Sequence, residues 1–128
     1  MPEKKVIIPA GGAKPLAPYS PGIQYGQLLF TAGQIGLDPA SGTLVAGGVG
    51  PETRKALENL GAVLKAGGSS FASLLKVTVF LADINDYAAV NEIYAEYAGE
   101  QPPARSAIQV AALPAGARVE IEAVAAVE

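Results

Sequence analysis

Arg105 and Glu120 are the residues of this chain best suited to chemistry. Arg105 follows Pro103-Ala104 and begins a short run of small or apolar neighbours, and Glu120 sits inside an otherwise apolar run that it shares with Glu122. Burying either charge alone is expensive. A guanidinium held on a sheet face suits a bidentate grip on a carboxylate. A carboxyl in a partly apolar cleft has its pKa raised, which suits it to exchange protons with water. A structural ion pair or a solvated strand face accounts for the same spacing, and Glu122 competes with Glu120 for the role of base. The chain has no histidine and no cysteine, so a Ser-His-Asp triad, a thiolate nucleophile and a zinc-thiolate centre are excluded. Acid–base work is left to Asp, Glu, Lys, Tyr or ordered water.

Two further residues belong beside this pair. Tyr19, in the loop Pro18-Tyr19-Ser20-Pro21, can cap a ligand with its ring or donate through its hydroxyl; the plainer alternative is a loop aromatic packed on the core. Asn91 falls at the edge of a buried helical stripe, where its amide needs partners. It either faces a ligand or ties a loop to the helix. The run Ala46-Gly47-Gly48-Val49-Gly50 precedes a helix but lacks the lysine-serine or lysine-threonine step of a phosphate loop, so it reads as a flexible lead-in. Asp83 and Asp86 read as a turn and a cap region, since a lone spaced pair is a poor metal site.

The elements that must position these residues follow from period and punctuation. Val6-Ile7-Ile8 predicts a short strand, and residues 22–25 and 28–32 flank a hairpin turn at Gly26-Gln27. Asp38 to Gly42 is turn chemistry. A helix is expected over 51–66, with Pro51 at its first position, Leu57, Leu60 and Leu64 on one buried stripe, and Gly67-Gly68 as the stop. Residues 75–82 read as a strand. A second helix is expected after Asn85 as cap and before Gly99, burying Tyr87, Val90, Tyr94 and Tyr97. Pro102-Pro103 blocks further helix, and two last strands cover 105–110 and 118–127. With no linker or repeat, residues 1–128 read as one domain of the α+β class.

Both faces of the central strand are apolar. Val77, Val79 and Leu81 point one way, and Thr78, Phe80 and Ala82 the other. Two helices cover only one face, so the second is expected to be an interaction patch where subunits pack sheet against sheet. A loop folded over that face is the alternative.

The segments APYSPG (17–22), FTAGQIGLDPASG (30–42), VFLADINDY (79–87), VNEIYAEY (90–97) and the tail PARSAIQVAALPAGARVEIEAVA (103–125) together resemble the Rid family of reactive-intermediate deaminases, formerly grouped as the endoribonuclease L-PSP or translation inhibitor family. The resemblance spans the chain from about Ala17 and is most specific in the tail. It implies a chorismate-mutase-like fold: a six-stranded, mostly antiparallel sheet with two helices on one side. It implies a homotrimer with a central barrel and with clefts between neighbouring subunits as active sites. By it, Arg105 binds the substrate carboxylate, Glu120 rather than Glu122 activates the attacking water, and Tyr19, Asn91 and the backbone of Gly33 line the cleft. The carbonyl of Ala107 contacts the imine nitrogen, at a position where the family often has cysteine. Ala32 stands where the family often has serine, so a hydroxyl contact is lost; Thr31 is expected to point to the opposite face.

The activity implied is hydrolysis of 2-iminobutanoate or 2-iminopropanoate to a 2-oxo acid and ammonia. Neither a metal nor an organic cofactor is needed, because the imine is already electrophilic. One rival is a trimer that binds small acids without turning them over. Another is an endoribonuclease or translation inhibitor, which the net charge of −3, the absent histidine and the scattered basic residues disfavour. A chaperone-like role through exposed apolar surface is a third, weaker rival. The same charge balance argues against nucleic-acid and membrane partners. The longest uncharged stretch, between Lys14 and Asp38, carries three prolines and several glycines and is a poor membrane span. A cytoplasmic location is the default expectation.

Overall fold

The computed structural model describes residues 2–12, 15 and 17–128. Apolar alternation and glycine punctuation give six strands and two helices. In chain order these are β1 (Lys5–Ile7), β2 (Gly22–Tyr25), β3 (Leu28–Thr31), α1 (Val49–Ala66), β4 (Leu74–Leu81), α2 (Tyr87–Ala98), β5 (Ala104–Gln109) and β6 (Val119–Ala126). Single 3₁₀ turns lie at Phe71–Ser73, Ile84–Asp86 and Pro114–Gly116. The strands form one sheet in the order β1-β2-β3-β6-β4-β5, antiparallel except for β4 with β5. That pair runs parallel because α2 carries the chain back between the two strands. The expected α+β architecture holds, with each expected strand edge within about one residue of its place.

The helices cover one face. Leu57, Leu60 and Leu64 of α1 are fully buried against Leu29, Val77, Val79, Leu81, Val119 and Ile121. α1 begins at Val49, two residues before the expected start. Proline is tolerated at its third position because the first-turn N–H groups have no intrahelical acceptor in any case. Asn85 is not the cap of α2. It lies inside the preceding 3₁₀ turn, and its N–H donates to Asp83 Oδ1 at 2.9 Å. An aspartate two residues upstream makes that local bond readily, so the turn forms first and the helix follows it. Within α2, Val90 and Tyr94 are buried as expected, but Tyr87 is 42% exposed and Tyr97 only half-buried. Among the described residues no helix is long and apolar enough to cross a membrane.

The other face of the sheet is uncovered in the single chain. It carries Leu28 and Phe30 of β3, Phe80 of β4, Ile108 of β5 and Val124 of β6, with Lys76, Thr78, Ser106, Glu120 and Glu122 among them. Leu28, Phe30 and Ile108 are 39%, 42% and 47% exposed. The exposure of these three side chains leaves the second apolar face partly open in the single chain.

Candidate active site

Arg105 is the second residue of the edge strand β5, abreast of Val77 in the parallel ladder. Val77 faces the helices, so Arg105 does too. Tyr87, Asn91 and Tyr94 recur at i, i+4 and i+7 on α2 and therefore share the face above it. The Nη2 group of Arg105 donates to Asn91 Oδ1 at 2.7 Å and to the Tyr87 hydroxyl at 3.2 Å. Its guanidinium carbon lies 4.8 Å from the ring centre of Tyr94 and 5.5 Å from that of Tyr87, within cation–π range. Gly99 ends the helix with φ +72°, and Pro102-Pro103 turn the chain onto β5. Together with Arg105, Asn91 and Tyr94, those prolines line a cavity of about 350 Å³. Burial holds the Tyr94 phenol above its usual pKa, and its hydroxyl has no partner among the described residues. The neighbouring Asn91 amide and the hydrogen bond from Arg105 hold the Tyr87 phenol below its usual pKa.

No carboxylate among the described residues pairs with Arg105; the ion pairs formed are Arg54–Glu96 and Lys55–Glu58, both elsewhere. The guanidinium is half-buried and held by neutral oxygens and ring faces alone. A structural ion pair with Glu120 is therefore not its role within one chain. A half-buried cation without a counter-ion is a ready receptor for an anion.

Glu120 belongs to β6, whose Val119, Ile121, Ala123 and Ala125 are buried beneath the helices. Alternation sends Glu120 and Glu122 to the open face. Burial raises the Glu120 pKa, and the nearby charge of Glu122 raises it further. Gly33, on the segment leaving β3, lies against this carboxyl: a Cβ there would fall 2.6 Å from its carboxyl carbon. A side chain there would push the Glu120 carboxyl aside. The segment is pinned by Gln34 and Ile121, which exchange N–H···O bonds of 2.8 and 2.9 Å. Thr31 faces away, as expected, its hydroxyl accepting from the Ala123 N–H at 3.0 Å. It does not replace a hydroxyl at Ala32.

Arg105 and Glu120 thus lie on opposite faces of the sheet. The parallel register of β5 puts Arg105, with Ala107 abreast of Val79, on the helix side, and alternation along β6 puts Glu120 on the open one. Within one chain these residues form two separate groups. One comprises Arg105, Asn91, Tyr87 and Tyr94, and the other Glu120 and Gly33. Tyr19 touches neither pair; it is 56% exposed and borders a separate cavity of about 570 Å³, between the N-terminal segment and α1, which Gln34 also lines. Tyr87 and Tyr94 were readable from their spacing to Asn91, but the sequence assigns them to the core rather than to the arginine.

The family model described as Endoribonuclease L-PSP matches residues 11–127. The human 2-iminobutanoate/2-iminopropanoate deaminase is 51% identical over 122 residues, which cover 95% of this chain and 89% of the human one. This chain belongs to the Rid family. Among solved structures, the Rid family protein YyfA from Yersinia pestis superposes with a TM-score of 0.93 at 40% identity, covering 98% of this chain and all of its own. E. coli TdcF with bound serine does so with a TM-score of 0.91 at 38% identity, covering 98% of this chain and 100% of its own. Sequence and fold agree on the Rid assignment over nearly the whole chain.

Proposed function

We propose that this chain is a 2-iminobutanoate/2-iminopropanoate deaminase, acting as a homotrimer whose sites lie between subunits. The observation that carries this reading is the half-buried Arg105 guanidinium without a counter-ion, on the opposite face of the sheet from the raised-pKa carboxyl of Glu120. Two half-sites on opposite faces make one cleft only when a neighbouring subunit supplies the second half. In that cleft Arg105 binds the substrate carboxylate, and Glu120 polarises a water toward the imine carbon. The water adds to the C=N bond and gives a carbinolamine. Its nitrogen takes a proton and leaves as ammonia while the hydroxyl becomes the carbonyl of the 2-oxo acid. Such imines also hydrolyse unaided, so holding water and carbon together supplies the rate gain asked of the site.

The test couples a threonine- or serine-dehydrating enzyme to the purified protein and follows disappearance of the imine. Arg105→Ala should lose about tenfold to a hundredfold in kcat/KM, the worth of hydrogen bonds to a charged group, and should stay folded. Full retention of activity in that variant overturns the assignment. A second reading, a trimer that binds small acids without turnover, draws on the serine bound to TdcF. It predicts stabilisation by 2-oxo acids with no imine consumed.

A further inference from the structure

The anchor has one more polar group than the pair Arg105 and Asn91. Nη2 of Arg105 carries two protons, and both are committed, one to Asn91 Oδ1 at 2.7 Å and one to the Tyr87 hydroxyl at 3.2 Å. Both forks by which a guanidinium grips a carboxylate use this nitrogen, so the Tyr87 oxygen stands beside any carboxylate the guanidinium takes. The Tyr87 oxygen accepts from Arg105, so its own proton points elsewhere. Among the described residues no hydrogen bond takes up that proton. The side chain is 42% exposed, with its ring 5.5 Å from the guanidinium carbon.

We infer that the Tyr87 hydroxyl donates directly to the substrate carboxylate, one carboxylate oxygen resting on Arg105 and the other on Tyr87. This rests on the reading of Arg105 as the acid anchor and extends it by a second donor. The lowered pKa of the phenol agrees with it, since a more acidic hydroxyl is the better donor to an anion. Tyr87 is thereby a specificity residue: the site favours a planar acid whose two oxygens meet two different donors. It sits on α2, so the same helix turn that orients Arg105 through Asn91 also supplies the second contact.

The test compares the full chain with its Tyr87→Phe and Arg105→Ala variants. Binding of 2-oxobutanoate, a stable molecule with the same carboxylate, is measured by titration calorimetry, and KM and kcat are measured in the coupled imine assay. Tyr87→Phe should weaken 2-oxobutanoate binding about tenfold, the worth of one hydrogen bond to a charged group. KM should rise by more than kcat falls, and the melting temperature should hold, because the lost group is at the surface. Unchanged 2-oxobutanoate affinity in Tyr87→Phe, with binding abolished in Arg105→Ala, overturns the inference and leaves the anchor standing. A fall in kcat with KM and affinity unchanged also overturns it, since that marks a positioning role. Binding that survives Arg105→Ala, or no binding by the unaltered protein, overturns the anchor and the inference together.

Discussion

A carboxyl that is to polarise water must be ionised when it works and yet hold its proton near the working range. Glu120 meets this through its place on β6, where burial and the charge of Glu122 both disfavour the ionised form. The shift has two consequences of opposite use. Activity should climb as the carboxyl ionises, with an inflection in kcat/KM above the ordinary glutamate value of about 4.3; Glu120→Gln should flatten that profile. For stability the sign reverses. Between the unfolded and folded pKa values the native state keeps a proton that the unfolded chain has released, so stability falls as pH rises through that window. Melting curves against pH should therefore show Glu120→Gln more stable than the unaltered protein above the window and equal to it below. A flat rate profile in the unaltered protein would remove Glu120 from the chemistry.

Among the elements, one buried contact ties α1 to the start of β6, the strand that carries Glu120. Glu52 in the first turn of α1 is buried and accepts the Arg118 N–H at 2.8 Å, just before β6 begins. Gly36 lets its own segment press against the backbone of Glu52, a Cβ there falling 2.8 Å from the Glu52 Cα. Glu52→Ala should cost about 1–3 kcal/mol, the usual effect of leaving a polar group without its partner. Glu52→Gln keeps an acceptor oxygen and should cost less. Urea unfolding midpoints check both. The Glu52 bond to a residue 66 positions away is invisible to any local pattern.

At the scale of the molecule, the open face is the surface through which the proposed assembly would form. Leu28, Phe30 and Ile108 stand partly in water around Glu120 and Glu122. Burying such a patch against another sheet is the favourable outcome, and the placement of the two half-sites asks for the same event. Phe30→Glu should therefore reduce the sedimenting mass to that of a single chain and abolish imine hydrolysis, while far-UV circular dichroism stays as in the unaltered protein. Full activity from a monomeric Phe30→Glu protein would separate assembly from catalysis.

The sequence by itself determined the element order, the core stripe of α1 and half of that of α2, the hairpin at Gly26, the two-sided apolar strand, and the residue types able to do acid chemistry. These are local properties, set by a period of two or 3.6 and by where glycine and proline interrupt it. It also carried the likeness to the Rid family, because the tail from Pro103 to Ala125 is a continuous string. Only the tertiary structure decided which face each charge occupies. Alternation says that Arg105 and Ala107 share a side, but not whether that side is under the helices; this depends on the register of β5 against β4, a pairing across 28 positions of chain from Val77 to Arg105. The same long-range register brought the buried Tyr94 and the exposed Tyr87 around the guanidinium and put Gly33 against Glu120, because contacts between distant segments are fixed by packing and not by spacing.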